Sequence, residues 1–260
     1  MAKLYQLDLE ILENKSISPF HKILVLRDKK IGVISQPGQF ITILTNKILR
    51  RPFCISSVKK DKIEILYKIV GEGTKWLSER KKGEKINVIG PLGSGLFNYS
   101  LLPSSCSLLF VAGGTGIASL RFLAQKFSRA GLLFYGAKTK KEIVGLDIFI
   151  QKKWKINIAT EDGSCGYKGT VIELLNKYLS DQSFNHLSSY VYSAGPEKML
   201  KSVSEICKKH GIKGQVSLEK IIACGVGACR GCVVETKDGE YKSVCKDGPV
   251  FDIQDVFFSI

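Results

Sequence analysis

The sequence lacks an apolar run long enough to cross a membrane. A membrane-spanning helix needs about 20 apolar residues in succession, and the longest apolar run here, residues 108–118, is interrupted by three glycines. The first residues, MAKLYQ, also lack the apolar stretch of a secretory signal peptide. We therefore expect a cytoplasmic protein with no membrane partner.

The sequence also has no long basic run, although its net charge is +15. The basic excess is spread over residues 1–210, whereas residues 211–260 carry 6 basic and 7 acidic side chains. Proteins that bind nucleic acids concentrate their basic residues on one surface. We expect no nucleic-acid partner and interpret the charge as a solvated surface, with attraction of an acidic partner protein left open.

Internal repeats and low-complexity segments are absent as well. A chain of 260 residues with 44% hydrophobic content has room for two domains and a small module. We predict an antiparallel β-barrel over residues 1–100, a doubly wound α/β domain over residues 101–212, and a small cysteine-rich module over residues 213–260.

The first hundred residues contain short runs of β-branched and apolar residues separated by turn signals. They predict strands over residues 4–12, 21–27, 39–44, 63–70 and 85–89. Many short strands with few helices are typical of a small antiparallel barrel. One short helix is expected over residues 74–80, with Thr74 as its N-cap.

From residue 107 the pattern alternates between buried strands and helices, as in a doubly wound domain. Strands are predicted over residues 108–112, 132–136, 155–160 and 190–194, and helices over residues 117–127, 170–179 and 196–210.

Two loops in this domain follow a strand and open a helix. The first contains Gly113, Gly114, Thr115 and Gly116, and the second contains Gly195 and Pro196. Helix N-termini offer free N–H groups to phosphates, and ligands bind at the carboxyl ends of parallel strands. The loops predict a nicotinamide dinucleotide site; a tight strand–helix turn is the alternative for the first loop alone.

The cysteine-rich module contains the spacing C-x4-C-x2-C at Cys224, Cys229 and Cys232, followed by Cys245. This is the plant-type pattern for a 2Fe–2S cluster. Glycines between the cysteines allow positive φ and close approach of backbone N–H groups to the sulfurs. A predicted hairpin over residues 233–244 delivers Cys245.

A structural zinc site is the alternative for four thiolates. Zinc ribbons usually contain two C-x2-C pairs, and this sequence has one. A disulfide framework is not expected in a cytoplasmic protein of this size.

In this order, the barrel, dinucleotide domain and cluster module resemble the ferredoxin–NADP reductase superfamily. Arg51-Pro52-Phe53-Cys54 is similar to its flavin motif Arg-x-Tyr-Ser, and residues 71–74 and 90–93 are similar to its other flavin-side landmarks. The cysteine loop and residues 244–251 narrow the resemblance to the electron-transfer subunits of two-subunit, NAD-linked dihydroorotate dehydrogenases.

This resemblance implies FAD on the barrel, NAD on the α/β domain, a 2Fe–2S cluster, and a separate FMN-containing catalytic subunit that oxidises dihydroorotate. It implies that Arg51 holds the FAD pyrophosphate and that Phe53 packs on the flavin ring. The other residues implied at the FAD are Pro52, Cys54, Leu66, Tyr67, Lys68, Gly73 and Thr74. Cys54 replaces the usual serine. Because a thiol is a weaker hydrogen-bond donor than a hydroxyl, its hydrogen bond to the flavin should be weaker, and this affects the redox potential of the flavin.

The expectation that the nucleotide is NAD rather than NADP rests on the same resemblance. Lys138, Lys140 and Lys141 stand where a 2′-phosphate could be bound, but we interpret them as a solvated loop. Two other functions stay open: the small subunit of an NADH-dependent ferredoxin:NADP or sulfide oxidoreductase, and a zinc-stabilised binding protein.

Overall fold

The computed structural model describes residues 3–180, 188–256 and 258. The outermost residues of the predicted first and third domains, 1 and 260, therefore lie outside the described residues. The fold consists of two seven-stranded sheets and a two-stranded hairpin. No helix in the described ranges is long and apolar enough to cross a membrane.

The first sheet is curled and antiparallel, in the order β4-β3-β7-β1-β2-β6-β5. Its strands are β1 Tyr5–Ser16, β2 His21–Arg27, β3 Phe40–Ile43, β4 Arg51–Cys54, β5 Ser57–Lys59, β6 Lys62–Lys68 and β7 Lys85–Leu92. Apolar side chains from most of these strands, including Ile11, Leu24 and Ile65, form a buried core inside the curl. Two short helices, α1 (Ile31–Ile34) and α2 (Glu72–Ser78), connect the strands.

Helix α2 corrects one sequence prediction. Thr74 is not the N-cap, because the helix begins at Glu72 and its N-cap is Gly71. The Thr74 hydroxyl instead accepts hydrogen bonds from the backbone N–H groups of Val70 and Gly71, at 2.9 and 3.1 Å. A threonine at the third helical position can satisfy the preceding backbone in this way. The threonine therefore does mark the start of the helix, but it lies three residues after the N-cap.

The second sheet is parallel except at one edge, in the order β11-β10-β9-β8-β12-β13-β16. Its strands are β8 Ser107–Gly113, β9 Leu132–Ala137, β10 Lys155–Thr160, β11 Tyr167–Lys168, β12 Ser189–Ala194, β13 Lys213–Ser217 and β16 Val250–Asp252. The four longest helices of this half are α3 Ile117–Lys126, α4 Asp147–Gln151, α5 Val171–Leu179 and α6 Glu197–His210. Helix α5 begins with a capping box, in which Thr170 and Glu173 satisfy each other's backbone N–H.

The cysteine-rich segment is attached to this sheet at both ends. Strand β13 precedes it and pairs in parallel with β12, while β16 follows it and pairs antiparallel with β13. The predicted hairpin lies between them as β14 (Val233–Glu235) and β15 (Tyr241–Ser243). The domain boundaries themselves stay predictions, but the α/β sheet continues past residue 212.

A buried arginine joins the two halves of the molecule. Arg121 on α3 is 1% exposed and forms ion pairs with Glu64 on β6 and with Asp147 at the start of α4. Burial opposes ionisation of Asp147, but the hydrogen bond and positive charge of Arg121 outweigh it, and the pKa of Asp147 is lowered. Nearby, the Gln125 side-chain amide donates to the Ser57 hydroxyl across the same interface, at 2.8 Å.

Candidate functional site

A cavity of about 400 Å³ lies between the curled sheet and the α/β half. Strands β4 and β6 form its floor, and the start of α3 and the segment 217–222 form the opposite wall. Eight of the nine residues implied at the FAD line this cavity: Arg51, Pro52, Phe53, Cys54, Leu66, Tyr67, Lys68 and Thr74. The structure therefore brings together residues that are up to 23 positions apart in the sequence.

Gly73, the ninth residue, lies behind this wall. A Cβ atom there would stand 3.1 Å from the Arg51 Nε atom and 3.3 Å from its Cγ atom. Gly73 therefore leaves space for the Arg51 side chain.

Two neighbouring arginines have different surroundings. Arg50 donates four hydrogen bonds to Thr42 and Asn87, at 2.9–3.1 Å. The Arg51 side chain forms no hydrogen bond or ion pair with the described residues, and it lines the cavity. The guanidinium of Arg51 is thus available to an anionic ligand such as a pyrophosphate.

Aromatic and thiol side chains form the inner end of the cavity. Phe53 and Tyr67 pack edge to face, with ring centroids 5.9 Å apart, and the Tyr67 hydroxyl donates to Asn14 at 3.0 Å. Burial raises the pKa of the Cys54 thiol to about 11, partly offset by a hydrogen bond with the Ser119 hydroxyl. Cys54 is therefore a neutral thiol near neutral pH.

A larger cavity of about 740 Å³ lies at the carboxyl ends of the parallel strands. The residues predicted for the dinucleotide all line it: Gly113, Gly114, Thr115, Gly116, Gly195 and Pro196. Helices α3 and α6 begin beside these loops, so their N-termini lie at the same edge of the sheet. Lys138 also lines the cavity, whereas Lys140 and Lys141 do not.

The two glycine loops touch each other. A Cβ atom on Gly116 would stand 2.3 Å from the Ala194 carbonyl oxygen, and one on Gly113 would stand 2.6 Å from the Met199 sulfur. Larger residues at these positions would push the β8 and β12 loops apart. The loops therefore form one continuous cradle, of the kind that accommodates a pyrophosphate.

Backbone N–H groups donate to the sulfurs of three of the four cysteines in the C-terminal segment. Gly227 N–H donates to the Cys245 sulfur at 3.1 Å, and the N–H groups of Cys229 and Cys245 donate to the sulfurs of Cys224 and Cys232, both at 3.4 Å. Within the described residues, no three His, Cys, Asp or Glu side chains could hold a metal ion as they stand. Four thiols, three of them with backbone N–H donors, match the donor chemistry of an iron–sulfur cluster.

Positive φ angles occur at two of the three glycines in the cysteine loop for which we expected them. Gly225 and Gly227 have φ of 76° and 80°, whereas Gly231 does not have a positive φ. Arg230, which the sequence did not single out, has a positive φ of 54°. Burial opposes ionisation of Cys224, but hydrogen bonds from backbone N–H groups outweigh it and lower its pKa to about 6. The backbone N–H groups thus favour the thiolate form, which is the form that binds a metal.

The cysteine segment also packs on the barrel. Ser94 and Gly95, which follow β7, donate backbone hydrogen bonds to the carbonyls of Lys246 and Gly248, both at 2.9 Å. Pro249, four residues after Cys245, lines the smaller cavity together with Ile222. The segment that carries the cysteines therefore forms part of the wall of the predicted FAD site.

The family model for the iron–sulfur cluster binding domain of dihydroorotate dehydrogenase B matches residues 219–257. A protein of Aquifex aeolicus named dihydroorotate dehydrogenase B (NAD(+)), electron transfer subunit homolog, is 36% identical over 97% of this chain and 99% of its own length. A dihydroorotate dehydrogenase B (NAD(+)) electron transfer subunit of Caldanaerobacter subterraneus subsp. tengcongensis is 38% identical over 87% of this chain and 89% of its own length.

Solved structures show the same architecture. A chain from the structure of the NADH-dependent reduced ferredoxin-NADP oxidoreductase has a TM-score of 0.83 and 28% identity, covering 96% of this chain and 90% of that chain. The ferredoxin reductase in carbazole 1,9a-dioxygenase has the same fold, with a TM-score of 0.69 and 21% identity over 82% of this chain and 68% of that chain.

Fold and site together define a flavoprotein of the ferredoxin–NADP reductase type with a C-terminal iron–sulfur module. The chain belongs to the family of dihydroorotate dehydrogenase B electron transfer subunits. The predicted fold class and the predicted cofactors, FAD, NAD and a 2Fe–2S cluster, are thereby confirmed. The family match also favours the iron–sulfur cluster over the zinc alternative.

Sequence reasoning missed part of the wall of the smaller cavity. Ser119, Ser217, Glu219 and Ile222 line the smaller cavity, and Glu219 lines the larger one as well. None of these residues belongs to a motif with characteristic spacing. Glu219 follows β13 by two positions, and a carboxylate at the end of a parallel strand was the available signal.

Proposed function

We propose that this chain is the electron-transfer subunit of an NAD-linked dihydroorotate dehydrogenase in pyrimidine biosynthesis. Electrons enter from a partner FMN-containing catalytic subunit and leave on NAD⁺. The observation that carries the proposal is the adjacency of three sites. The FAD cavity shares Lys68, Thr115 and Glu219 with the dinucleotide cavity, and it is also lined by Pro249 from the cysteine segment.

The barrel residues bind and orient the FAD. The Arg51 side chain, which has no polar partner among the described residues, holds the pyrophosphate, and Gly73 leaves room for it. Phe53 packs on the flavin ring, and the remaining wall consists of Pro52, Cys54, Leu66, Tyr67, Lys68 and Thr74. A flavin held by these residues would supply both one-electron and two-electron chemistry, which would connect a one-electron carrier to NAD⁺.

The four cysteines hold the 2Fe–2S cluster. Cys224, Cys229 and Cys232 come from one loop, and Cys245 comes from the end of the hairpin. The backbone N–H groups that donate to three of the sulfurs would stabilise the ligand thiolates and contribute to the cluster potential.

The α/β half binds NAD(H). The cradle formed by Gly113, Gly114, Thr115, Gly116, Gly195 and Pro196 takes the pyrophosphate at the N-termini of α3 and α6. Closure of the FAD cavity by the α/β half and the cysteine segment keeps water away from the reacting rings. We place the substrate site on the partner subunit and the complex in the cytoplasm, without a membrane or nucleic-acid partner.

Reconstitution with the partner tests this function. Purified chain, loaded with FAD and cluster, is mixed with an FMN-containing dihydroorotate dehydrogenase catalytic subunit, and NADH formation from dihydroorotate and NAD⁺ is followed by its absorbance. We expect NADH to form only when both subunits are present, and the Cys232→Ala variant to abolish it. A mixture that reduces an artificial dye with dihydroorotate but never NAD⁺ would contradict the proposal.

A second candidate is the small subunit of an NADH-dependent ferredoxin:NADP oxidoreductase. This candidate is favoured by the similarity of this chain to a chain in that enzyme's structure, with 28% identity and a TM-score of 0.83. This function predicts electron exchange with ferredoxin and no coupling to dihydroorotate, so the same reconstitution separates the two candidates. The curated relatives at 36–38% identity favour the first.

A further inference from the structure

Three side chains line both cavities: Lys68, Thr115 and Glu219. Lys68 belongs to the FAD residues and Thr115 to the NAD residues, whereas Glu219 belongs to neither set. Hydride transfer requires reacting atoms about 3–3.5 Å apart, so the flavin ring and the nicotinamide ring must meet where the two cavities join. This placement rests on the proposed function.

One carboxylate at this junction has no ion-pair partner among the described residues. The Lys68 ammonium is 3.1 Å from the Glu142 carboxylate, and Lys220, beside Glu219 in the chain, is 3.0 Å from the Glu197 carboxylate. The Glu219 side chain forms no hydrogen bond or ion pair with the described residues. Its carboxylate is therefore open to a ligand that enters the junction.

The Glu219 side chain is accessible to a ligand from either cavity. It is exposed and lines both cavities, and partial desolvation by the cavity walls raises its pKa. Interactions between charges are stronger in such a partly desolvated site than on an open surface. A cation that enters the junction would therefore compensate Glu219.

The nicotinamide ring carries a positive charge in NAD⁺ and none in NADH. When hydride, one proton with two electrons, moves to the ring, the ring charge changes from +1 to 0. We propose that Glu219 is a specificity-determining residue that favours NAD⁺ over NADH at the flavin. The carboxylate stabilises the oxidised nucleotide and has no matching attraction for the reduced one, so it favours binding of the acceptor and release of the product.

Binding measurements on the oxidised, FAD- and cluster-loaded protein test this inference. NAD⁺ is titrated by calorimetry at pH 8 against 1,4,5,6-tetrahydro-NAD, which has a neutral ring and cannot transfer hydride. For Glu219→Gln, we expect the preference for NAD⁺ over the neutral analogue to fall about tenfold, which corresponds to about 1.4 kcal/mol. Glu219→Asp keeps the charge and should keep most of the preference.

Glu161→Gln is the matched control, because Glu161 lines the dinucleotide cavity but not the FAD cavity. It removes the same charge away from the junction and should change the affinities for both nucleotides alike. The role of Glu219 would be overturned if Glu219→Gln kept the wild-type preference for NAD⁺ over the neutral analogue. It would also be overturned if Glu161→Gln lost that preference to the same extent. If the wild-type protein bound neither nucleotide, the proposed function would fail as well, so the two failures are distinguishable.

Discussion

The two cavities are built in different ways. The dinucleotide cavity is formed mainly by loops at the carboxyl ends of strands in one sheet, with Gly113 and Gly195 in direct contact. The FAD cavity is assembled from the barrel, from α3 and from the cysteine segment. The first site depends on local strand–loop–helix geometry, whereas the second depends on how three separate parts of the chain pack together.

This difference explains which residues could be predicted. Each glycine loop of the dinucleotide cavity follows a buried strand and opens a helix, so sequence order alone locates it. The far wall of the FAD cavity comes from residues such as Ser119 and Glu219, which are distant in sequence from the Arg51 motif. Their contribution depends on the packing of the two halves, and no motif of characteristic spacing marks them.

The largest expected effect comes from removing a cluster ligand. Cys232→Ala should lower the iron content from about two atoms per chain to almost none, because three thiolates no longer complete the site. We expect FAD affinity to fall as well, since the cysteine segment carries part of the FAD wall, while NAD⁺ affinity is retained. Iron analysis and nucleotide titrations measure these quantities.

Cys165→Ala is the control for this comparison, because Cys165 is a half-buried thiol in the loop between β10 and β11. It should retain iron, FAD and NAD⁺. If Cys232→Ala lowered the affinity for NAD⁺ as much as the affinity for FAD, the two cavities would depend equally on the cysteine segment, and the comparison would be wrong.

The next effect concerns the packing of the two halves. Arg121→Met leaves Glu64 without its buried partner and should lower the free energy of unfolding by about 3 kcal/mol. FAD should bind more weakly than in the wild type, and NAD⁺ should bind equally well. Denaturant unfolding and the two nucleotide titrations check this.

Arg129→Met is the matched variant, because Arg129 donates to the Ser104 carbonyl and forms no ion pair with a described residue. We expect its unfolding free energy to change by less than about 1 kcal/mol. If Arg121→Met left FAD affinity unchanged, the packing of the two halves would not determine the FAD cavity.

A smaller effect separates the two neighbouring arginines. Arg51→Gln should lower FAD affinity about 10- to 100-fold, because charge-assisted hydrogen bonds contribute about 1.5–3 kcal/mol, with the stability of the FAD-free protein unchanged. Arg50→Gln should instead lower that stability by about 2 kcal/mol, since its guanidinium donates four hydrogen bonds within the barrel. Equal effects on FAD affinity in both variants would contradict the assignment.

The smallest effect is expected at Cys54. Cys54→Ser restores the hydroxyl of the superfamily motif, a stronger donor than the buried thiol. A gain of about 1 kcal/mol in hydrogen bonding to the reduced flavin would raise the two-electron FAD potential by about 20 mV. Redox titration in the visible range measures the shift, and a lower potential in Cys54→Ser would contradict this role of the side chain.

Much of the fold could be read from local patterns. Strands β2 and β10 have the ends predicted for them, and the hairpin that leads to Cys245 was located from its turn residues. Strands β13 and β16 were not predicted, because pairing at the edge of the α/β sheet is determined by tertiary packing. The Arg121 ion pairs escaped prediction for the same reason, since α3 and β6 are far apart in the sequence.

NAD, FAD and the cluster are expected to form one electron-transfer chain within this subunit. The decisive measurement is an anaerobic titration of the loaded protein with NADH, followed by its visible spectrum. We expect the flavin and iron–sulfur bands to bleach together as electrons pass from NADH through FAD to the cluster. Bleaching of the flavin alone would show that the cluster is not connected, and a spectrum unaffected by NADH would show that no such chain exists.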